Sequence, residues 1–367
     1  MKNICICGGG NLGHVAAGFI AARTNYKVSL LTRHPEQWGK ILRVTHPQPL
    51  PNGRGVDIDL DVRCLTKPPS RTGGDGGGLF VCSDPSLVIP TADVVLLCLP
   101  GFAIAETLQQ IQPHLKPGAA VGSVVSSTGF FFQAIDILPP STPLFGLQRV
   151  PFIARTLQYG HAARIMGFKP SLQLAVEQTT RQEELRQMVQ TLFCTPTHLL
   201  HSHYEASLSN SNPLLHPSRL YTLFHDWHPG IVYPRVPLFY EEWTEEAAQL
   251  YIEMDCELQH LLAVLPVTPG SIPTVLDYYE STDAPSLASK LRSIEAFKGI
   301  VAPMLPVEGG YIPNFQSRYF TEDFPYGLDI VCRLARQKGV STPVIDRVSE
   351  WGRGCTSFTQ FLGVIYP

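Results

Sequence analysis

Three stretches hold residue types that could do chemistry together. The first is Gly8-Gly9-Gly10-Asn11-Leu12-Gly13, set between the apolar run Ile4-Cys5-Ile6-Cys7 and the small and apolar residues Val15 to Ala22. Many glycine-rich loops match a lone G-x-G-x-x-G, but between a buried strand and a helix it reads as a dinucleotide fingerprint. Gly8 then permits the tight turn, Gly10 lets the backbone approach a pyrophosphate, and Gly13 lets the helix lie close to the strand. The helix start, from Asn11 and Leu12, presents free N–H groups to the anion. A second strand, Lys27 to Leu31, ends in Thr32-Arg33-His34, where an acidic residue would hold a ribose hydroxyl. A hydroxyl, a fixed cation and no carboxylate favour NADP, with NAD still possible because arginine also stacks on adenine.

The second stretch is Asn210 to Arg219, centred on Asn212-Pro213-Leu214-Leu215-His216-Pro217. Proline after histidine suits the first helical position, which predicts His216 as the cap of a helix from Pro217. The positive helix end disfavours imidazolium there and leaves a neutral ring able to act as a base. A capping or core histidine is the plainer alternative. The third stretch, Asn314 to Leu328, holds Arg318, able to grip a carboxylate through two parallel hydrogen bonds, and Asp323, able to orient an imidazole. Alternatively, Glu322 and Asp323 only charge the start of a helix from Pro325. Spacing alone does not bring His216 and Asp323 together.

Other clusters carry less. Asp57, Asp59 and Asp61 alternate along a strand and so share its wet face without converging. Cys5-x-Cys7 lacks the second pair of a zinc site, and His201-x-His203 with Glu205 lacks a third spaced ligand, so no metal is expected. The run Glu241 to Glu246 reads as the charged first turn of a long helix.

These residues need a frame. Strands are expected at Ile4–Cys7, Lys27–Leu31, Val56–Cys64, Leu79–Ser83, Val94–Leu99, Ala120–Val125 and Leu144–Leu147, with helices at Val15–Ala22, His34–Leu42 and Ala103–Gln112. Residues 66–78 read as a flexible hairpin tip between the strands on either side, and His161–Phe168 with Ser171–Glu177 as a hairpin across Lys169-Pro170. The pattern is α/β: a doubly wound parallel sheet, then a mostly helical domain. In such sheets ligands bind beyond the carboxyl ends of the strands. That rim would hold the glycine turn, Pro100, Ser127 and Gln148. Arg181–Phe193 is expected as a helix, and Thr195-Pro196-Thr197 as the boundary between residues 1–195 and 196–367. Helical spacing beyond it marks Ser202–Ser209, Pro217–Phe224, Glu241–Leu265, Ser286–Ala296, Tyr326–Lys338 and Thr342–Gly352.

The 367 residues suffice for two domains, and 44% hydrophobic with 16% charged residues describes a globular chain. A net charge of −3 with no basic run argues against nucleic acid. The first strand begins by residue 4, with no leader or long apolar segment, so neither secretion nor a membrane span is expected. Nine cysteines, odd in number and mostly within apolar strands, suit reduced thiols in the cytoplasm.

Taken together, the N-terminal Gly-Gly-Gly-Asn-Leu-Gly-His, Gln148-Arg149-Val150-Pro151-Phe152 to Tyr159-Gly160, Asn212 to Pro217 and Glu322-Asp323-Phe324-Pro325-Tyr326-Gly327 resemble the octopine/nopaline dehydrogenase family. The motifs span nearly the whole chain. The resemblance implies a Rossmann domain followed by a helical domain of the 6-phosphogluconate dehydrogenase C-terminal type, with the active site between them. It places the catalytic histidine on His216, its paired aspartate on Asp323 and the keto-acid carboxylate on Arg318; Asn212 and Gln148 become substrate-side polar groups. The implied reaction is the reversible reductive condensation of an α-keto acid with an amino acid. The chain departs from the family in the apparent insertion 66–78 and in Thr32-Arg33, which is not the pattern of a strict NAD user. Two other readings stay open: a ketopantoate reductase-like hydroxy-acid dehydrogenase, whose family generally relies on a lysine, and a catalytically silent NADP-binding sensor. The oligomeric state is open, a homodimer being one arrangement the sequence allows.

Overall fold

The computed structural model describes residues 2–46, 57–64 and 78–362, with side chains through 355. The chain forms two compact units, Met1–Ser207 and Leu208–Pro367. Among the described residues no helix is long and apolar enough to cross a membrane.

The first unit is built on one sheet. Its strands are β1 (Asn3–Cys7), β2 (Lys27–Leu31), β3 (Ile41–Thr45), β4 (Ile58–Cys64), β5 (Leu79–Cys82) and β6 (Val94–Leu97). They continue with β7 (Ala120–Ser123), β8 (Leu144–Leu147), β9 (Phe152–Gln158), β10 (Ala162–Phe168), β11 (Leu172–Glu177) and β12 (Thr197–Leu199). The order across the sheet is β12-β11-β8-β7-β6-β1-β2-β5-β4-β3-β10-β9. From β8 to β4 every pairing is parallel, the doubly wound core expected from the sequence.

Alternation along β1 explains the two layers. Ile4 and Ile6 point into the core cluster that holds Phe19 and Ile20 of the helix Asn11–Arg23. Cys5 and Cys7 point to the opposite cluster, against Ile104 and Leu108 of the helix Gly101–Ile111 and Phe130 of the helix Phe130–Ile137. Both faces are covered, so β6, β7 and β8 are buried throughout and are apolar but for Ser123 at the end of β7.

The outer strands differ from expectation. The helix expected over His34–Leu42 shrinks to one turn at Pro35–Gln37, and Ile41–Thr45 is a strand. Its exposure alternates residue by residue, which suits β-branched Ile41, Val44 and Thr45 on a half-buried sheet. The strand ending at Cys64 does not turn back on Leu79: β4 runs parallel to β5 and antiparallel to β3. Most of the expected hairpin tip, residues 66–77, lies outside the described residues. Nor do β10 and β11 form a hairpin. β10 pairs with β9 across Tyr159-Gly160, and β11 joins β8 and β12 at the far side of the sheet. Period-two patterning identifies a strand but not its partner, and the missed strand β9 supplied the nearer edge. The first unit extends past Thr195 because Thr197–Leu199 pairs with β11.

The second unit is mostly helical, as expected, and among its described residues has one hairpin, β13 (Met304–Val307) against β14 (Gly310–Pro313). Its longer helices are Asn212–Phe224, Glu245–Leu262, Ala284–Ser293, Asp329–Lys338 and Pro343–Leu362. Glu241 and Glu242 precede the second of these rather than opening it: Thr244 is its cap, accepting from the Ala247 N–H. Helix starts are tied down by buried carboxylates. Glu257 accepts from the Val344 and Ile345 N–H groups, satisfying donors that a first turn leaves open.

Candidate active site

The glycine turn is shaped by close approach. Gly8 has φ +111°, and a Cβ on it would lie 2.6 Å from the Cys98 carbonyl oxygen. A Cβ on Gly13 would run into the Gly8 carbonyl, so helix and strand can meet only without one. Gly10 differs: it caps the helix without a side-chain bond, and a Cβ there would meet nothing within 4 Å. No acidic residue lies in that first turn. The open N-terminus borders a cavity of about 630 Å³, a size typical of small-molecule and cofactor sites.

Gly8, Gly10, Thr32, Arg33 and Pro100 of the expected cofactor residues line this cavity, together with Tyr159. Asn11, Leu12 and Gly13 form the first turn of the helix beside it. Asn11 turns its side chain to the Thr156 N–H at 2.8 Å. Ser127 sits in the turn Ser126–Thr128 and is not part of the cavity lining. Thr32 Oγ1 lies 3.1 Å from the Tyr159 hydroxyl, and Arg33 is exposed at the mouth. A glycine cradle, an uncapped helix start and a cation without a neighbouring carboxylate on the strand end fit a dinucleotide.

In the second unit His216 does not cap a helix. The helix begins four residues earlier, at Asn212 with Pro213 in its first turn, and Pro217 sits inside it. Pro217 is the sixth residue of this helix, so the Pro213 carbonyl receives no helical N–H from it. The imidazole is therefore oriented by side chains. Nδ1 lies 2.6 Å from Asp323 Oδ2, and Nε2 lies 2.8 Å from the Tyr240 hydroxyl. The carboxylate can only accept, which puts the hydrogen on Nδ1 and makes Nε2 the acceptor of the Tyr240 hydroxyl proton. Tyr319 meets the ring edge-on at 4.6 Å, and His216 is only 7% exposed.

Asp323 precedes a π-helical turn, Phe324–Leu328, a feature often found at functional sites. Tyr240 stacks on Phe297 at 4.0 Å, and burial holds its phenol far above the ordinary range. Burial and then the nearby Asp323 charge raise Tyr319 as well. Arg318 is exposed and gives Nε and Nη2 to Glu322 at 2.8 and 2.7 Å, leaving Nη1 free of that carboxylate. The Asn212 N–H donates to Asn210 Oδ1 at 3.3 Å, and Gln148, in the first unit, donates Nε2 to the Glu205 carbonyl at 3.2 Å.

Of the three histidine partners, Asp323 and Tyr319 lie four residues apart on one stretch, and Tyr240 comes from another. Sequence reading found only Asp323, since Tyr240, set between Phe239 and Glu241, carries no local signal of its role. Of the weaker clusters, His203 Nδ1 pairs with Glu177 at 2.8 Å, and Glu205 accepts from the His201 N–H.

A dinucleotide-binding α/β unit joined to a helical unit with a carboxylate-held histidine defines a NAD(P)-dependent dehydrogenase. Residues 199–356 match the model of the NAD/NADP octopine/nopaline dehydrogenase alpha-helical domain. The chain is 28% identical to an opine dehydrogenase of Haliotis discus hannai, over 95% of this chain and 88% of that one. It is 27% identical to the octopine dehydrogenase of Pecten maximus, over 95% and 89%. A solved octopine dehydrogenase with NADH and L-arginine superposes with a TM-score of 0.78 at 25% identity, covering 96% of this chain and 89% of its own. The helical unit thus matches the model of that family's domain, and the chain as a whole is similar to opine and octopine dehydrogenases.

Proposed function

We propose that this chain is an NAD(P)-dependent opine dehydrogenase that joins an α-keto acid to the amino group of an amino acid and reduces the resulting imine, reversibly. The observation that carries the reading is the buried His216 held at Nδ1 by Asp323, in a chain whose other unit presents an open glycine cradle. The glycine turn, Thr32 and Arg33 would hold the dinucleotide, Arg33 beside the adenosine ribose, where a 2'-phosphate favours NADP. When bound, the nicotinamide supplies or accepts the hydride.

The chain's own residues do the rest. In the oxidative direction His216 takes a proton from the secondary amine or from attacking water, at Nε2 once the Tyr240 hydroxyl has yielded that lone pair, and Asp323 stabilises the imidazolium. Arg318 would hold the keto-acid carboxylate, so that orientation rather than collision sets the rate. Asn212 and Gln148 are assigned to the substrate side as polar contacts. The enzyme is placed in the cytoplasm, a reading supported by nine free cysteines.

The test is a screen of NADPH and NADH oxidation, with pyruvate, oxaloacetate and 2-oxoglutarate each crossed against a set of amino acids. Turnover is expected only with both partners present. Oxidation with a keto acid alone would replace this reading with a hydroxy-acid dehydrogenase, and tight binding without turnover would leave a sensor.

A further inference from the structure

His14, the residue after the glycine turn, is fully buried, and both its ring nitrogens meet backbone groups. Nδ1 lies 3.0 Å from the Gly10 carbonyl oxygen, and Nε2 lies 2.7 Å from the Gly160 nitrogen. A carbonyl only accepts and a backbone N–H only donates, so Nδ1 carries the hydrogen and Nε2 is a bare acceptor. Trp38 stacks on the ring at 4.4 Å and Tyr159 meets it edge-on at 5.0 Å.

The Gly10 carbonyl shares a rigid peptide plane with the Asn11 N–H, one of the open donors at the helix start. That carbonyl accepts from both the His14 backbone N–H and the ring Nδ1, at 3.0 Å each, and the two together fix the direction in which the donor points. Two further bonds reach the β9–β10 hairpin: Thr156 N–H donates to Asn11 Oδ1, and Thr32, just past β2, pairs with Tyr159. The hairpin turn is itself tightly placed, since Gly160 has φ +70° and a Cβ on it would strike the Gln37 carbonyl.

We propose that His14 is the positioning residue of the dinucleotide loop: a neutral imidazole that clamps Gly10 to the Tyr159-Gly160 turn and thereby sets the affinity for the pyrophosphate. This deepens the dinucleotide reading above and rests on it. Protonation would place a second N–H against the Gly160 N–H and break the clamp. Burial lowers the proton affinity of His14, opposed by the Gly10 and Gly9 carbonyls, and no charged side chain contributes. Tyr159 is the ionisable group facing the ring; Arg33, His34, Glu36, Lys40, Arg155 and His161 on the surrounding segments are exposed. Binding should therefore be intact at neutral pH and fall as pH drops through the lowered His14 value.

Calorimetric titration with NADP+ and with NAD+ between pH 5 and 8, on wild type, His14→Gln and His14→Phe, tests this. Gln places a neutral acceptor near the Nε2 position, so its affinity at pH 7.5 should stay within about threefold of wild type, without the fall in acid. Phe fills the slot beside Trp38 without an acceptor and should bind about tenfold more weakly at neutral pH. Any titration of the 2'-phosphate is common to all three proteins and cancels in the comparison. An acid fall in His14→Gln equal to that of wild type, or wild-type affinity in His14→Phe, overturns the assignment of His14 alone. Wild type that binds neither dinucleotide overturns the dinucleotide reading as well. Should His14→Phe not fold, the profile of His14→Gln decides.

Discussion

Asp323 holds His216 by a 2.6 Å contact from Oδ2 to Nδ1, across two segments that share no local pattern. Asp323→Asn replaces the acceptor with an amide that can also donate, so the ring loses its fixed tautomer and the imidazolium its counter-charge. We expect kcat to fall by about 10²- to 10⁴-fold. His216→Ala should abolish turnover while calorimetry still detects the dinucleotide. An unchanged steady-state rate in either variant would remove the pair from the mechanism.

Tyr240 fills the other side of the same ring, at 2.8 Å. Tyr240→Phe leaves the buried Nε2 without its donor, a loss of about 1–3 kcal/mol in stability that urea titration would register. Because burial raises the Tyr240 phenol, it stays protonated where an ordinary tyrosine ionises, at about pH 10. The pH–rate profile of the wild type should carry no alkaline limb that disappears in Tyr240→Phe; finding one would mean the phenol titrates during turnover.

Arg318 is gripped by Glu322 through two of its nitrogens. A substrate carboxylate would have to use Nη1 or compete with Glu322. Arg318→Ala should raise the KM for the keto acid by about 10- to 100-fold and change the amino-acid KM far less. Initial rates at saturating amino acid give the comparison, and equal shifts in both constants would place Arg318 elsewhere.

Arg33 is exposed at the cavity mouth beside buried Thr32. Arg33→Ala should weaken NADP+ by about tenfold or more and leave NAD+ nearly unaffected, since a charge-assisted bond to the phosphate is lost. Calorimetry with each dinucleotide reads the ratio. A ratio that does not move would mean that this arginine stacks on the adenine or stays in solvent.

Local pattern carried the core of the first unit. Ile4 and Ile6 alternate with Cys5 and Cys7, the glycine spacing follows at once, and a strand with two covered faces must be apolar throughout, so short-range sequence was enough to determine β1, the turn and the helix after it. It also identified the helices of the second unit, whose spacing is a property of neighbouring residues. Tertiary structure decided which strands became partners: β10 with β9 and β3 rather than β11, because pairing depends on which edge is free and not on alternation. It likewise set His216 inside a helix, brought Tyr240 to its second nitrogen and put Glu322 on Arg318. Each is a contact between side chains whose approach is settled by packing of whole elements, which no window of adjacent residues encodes.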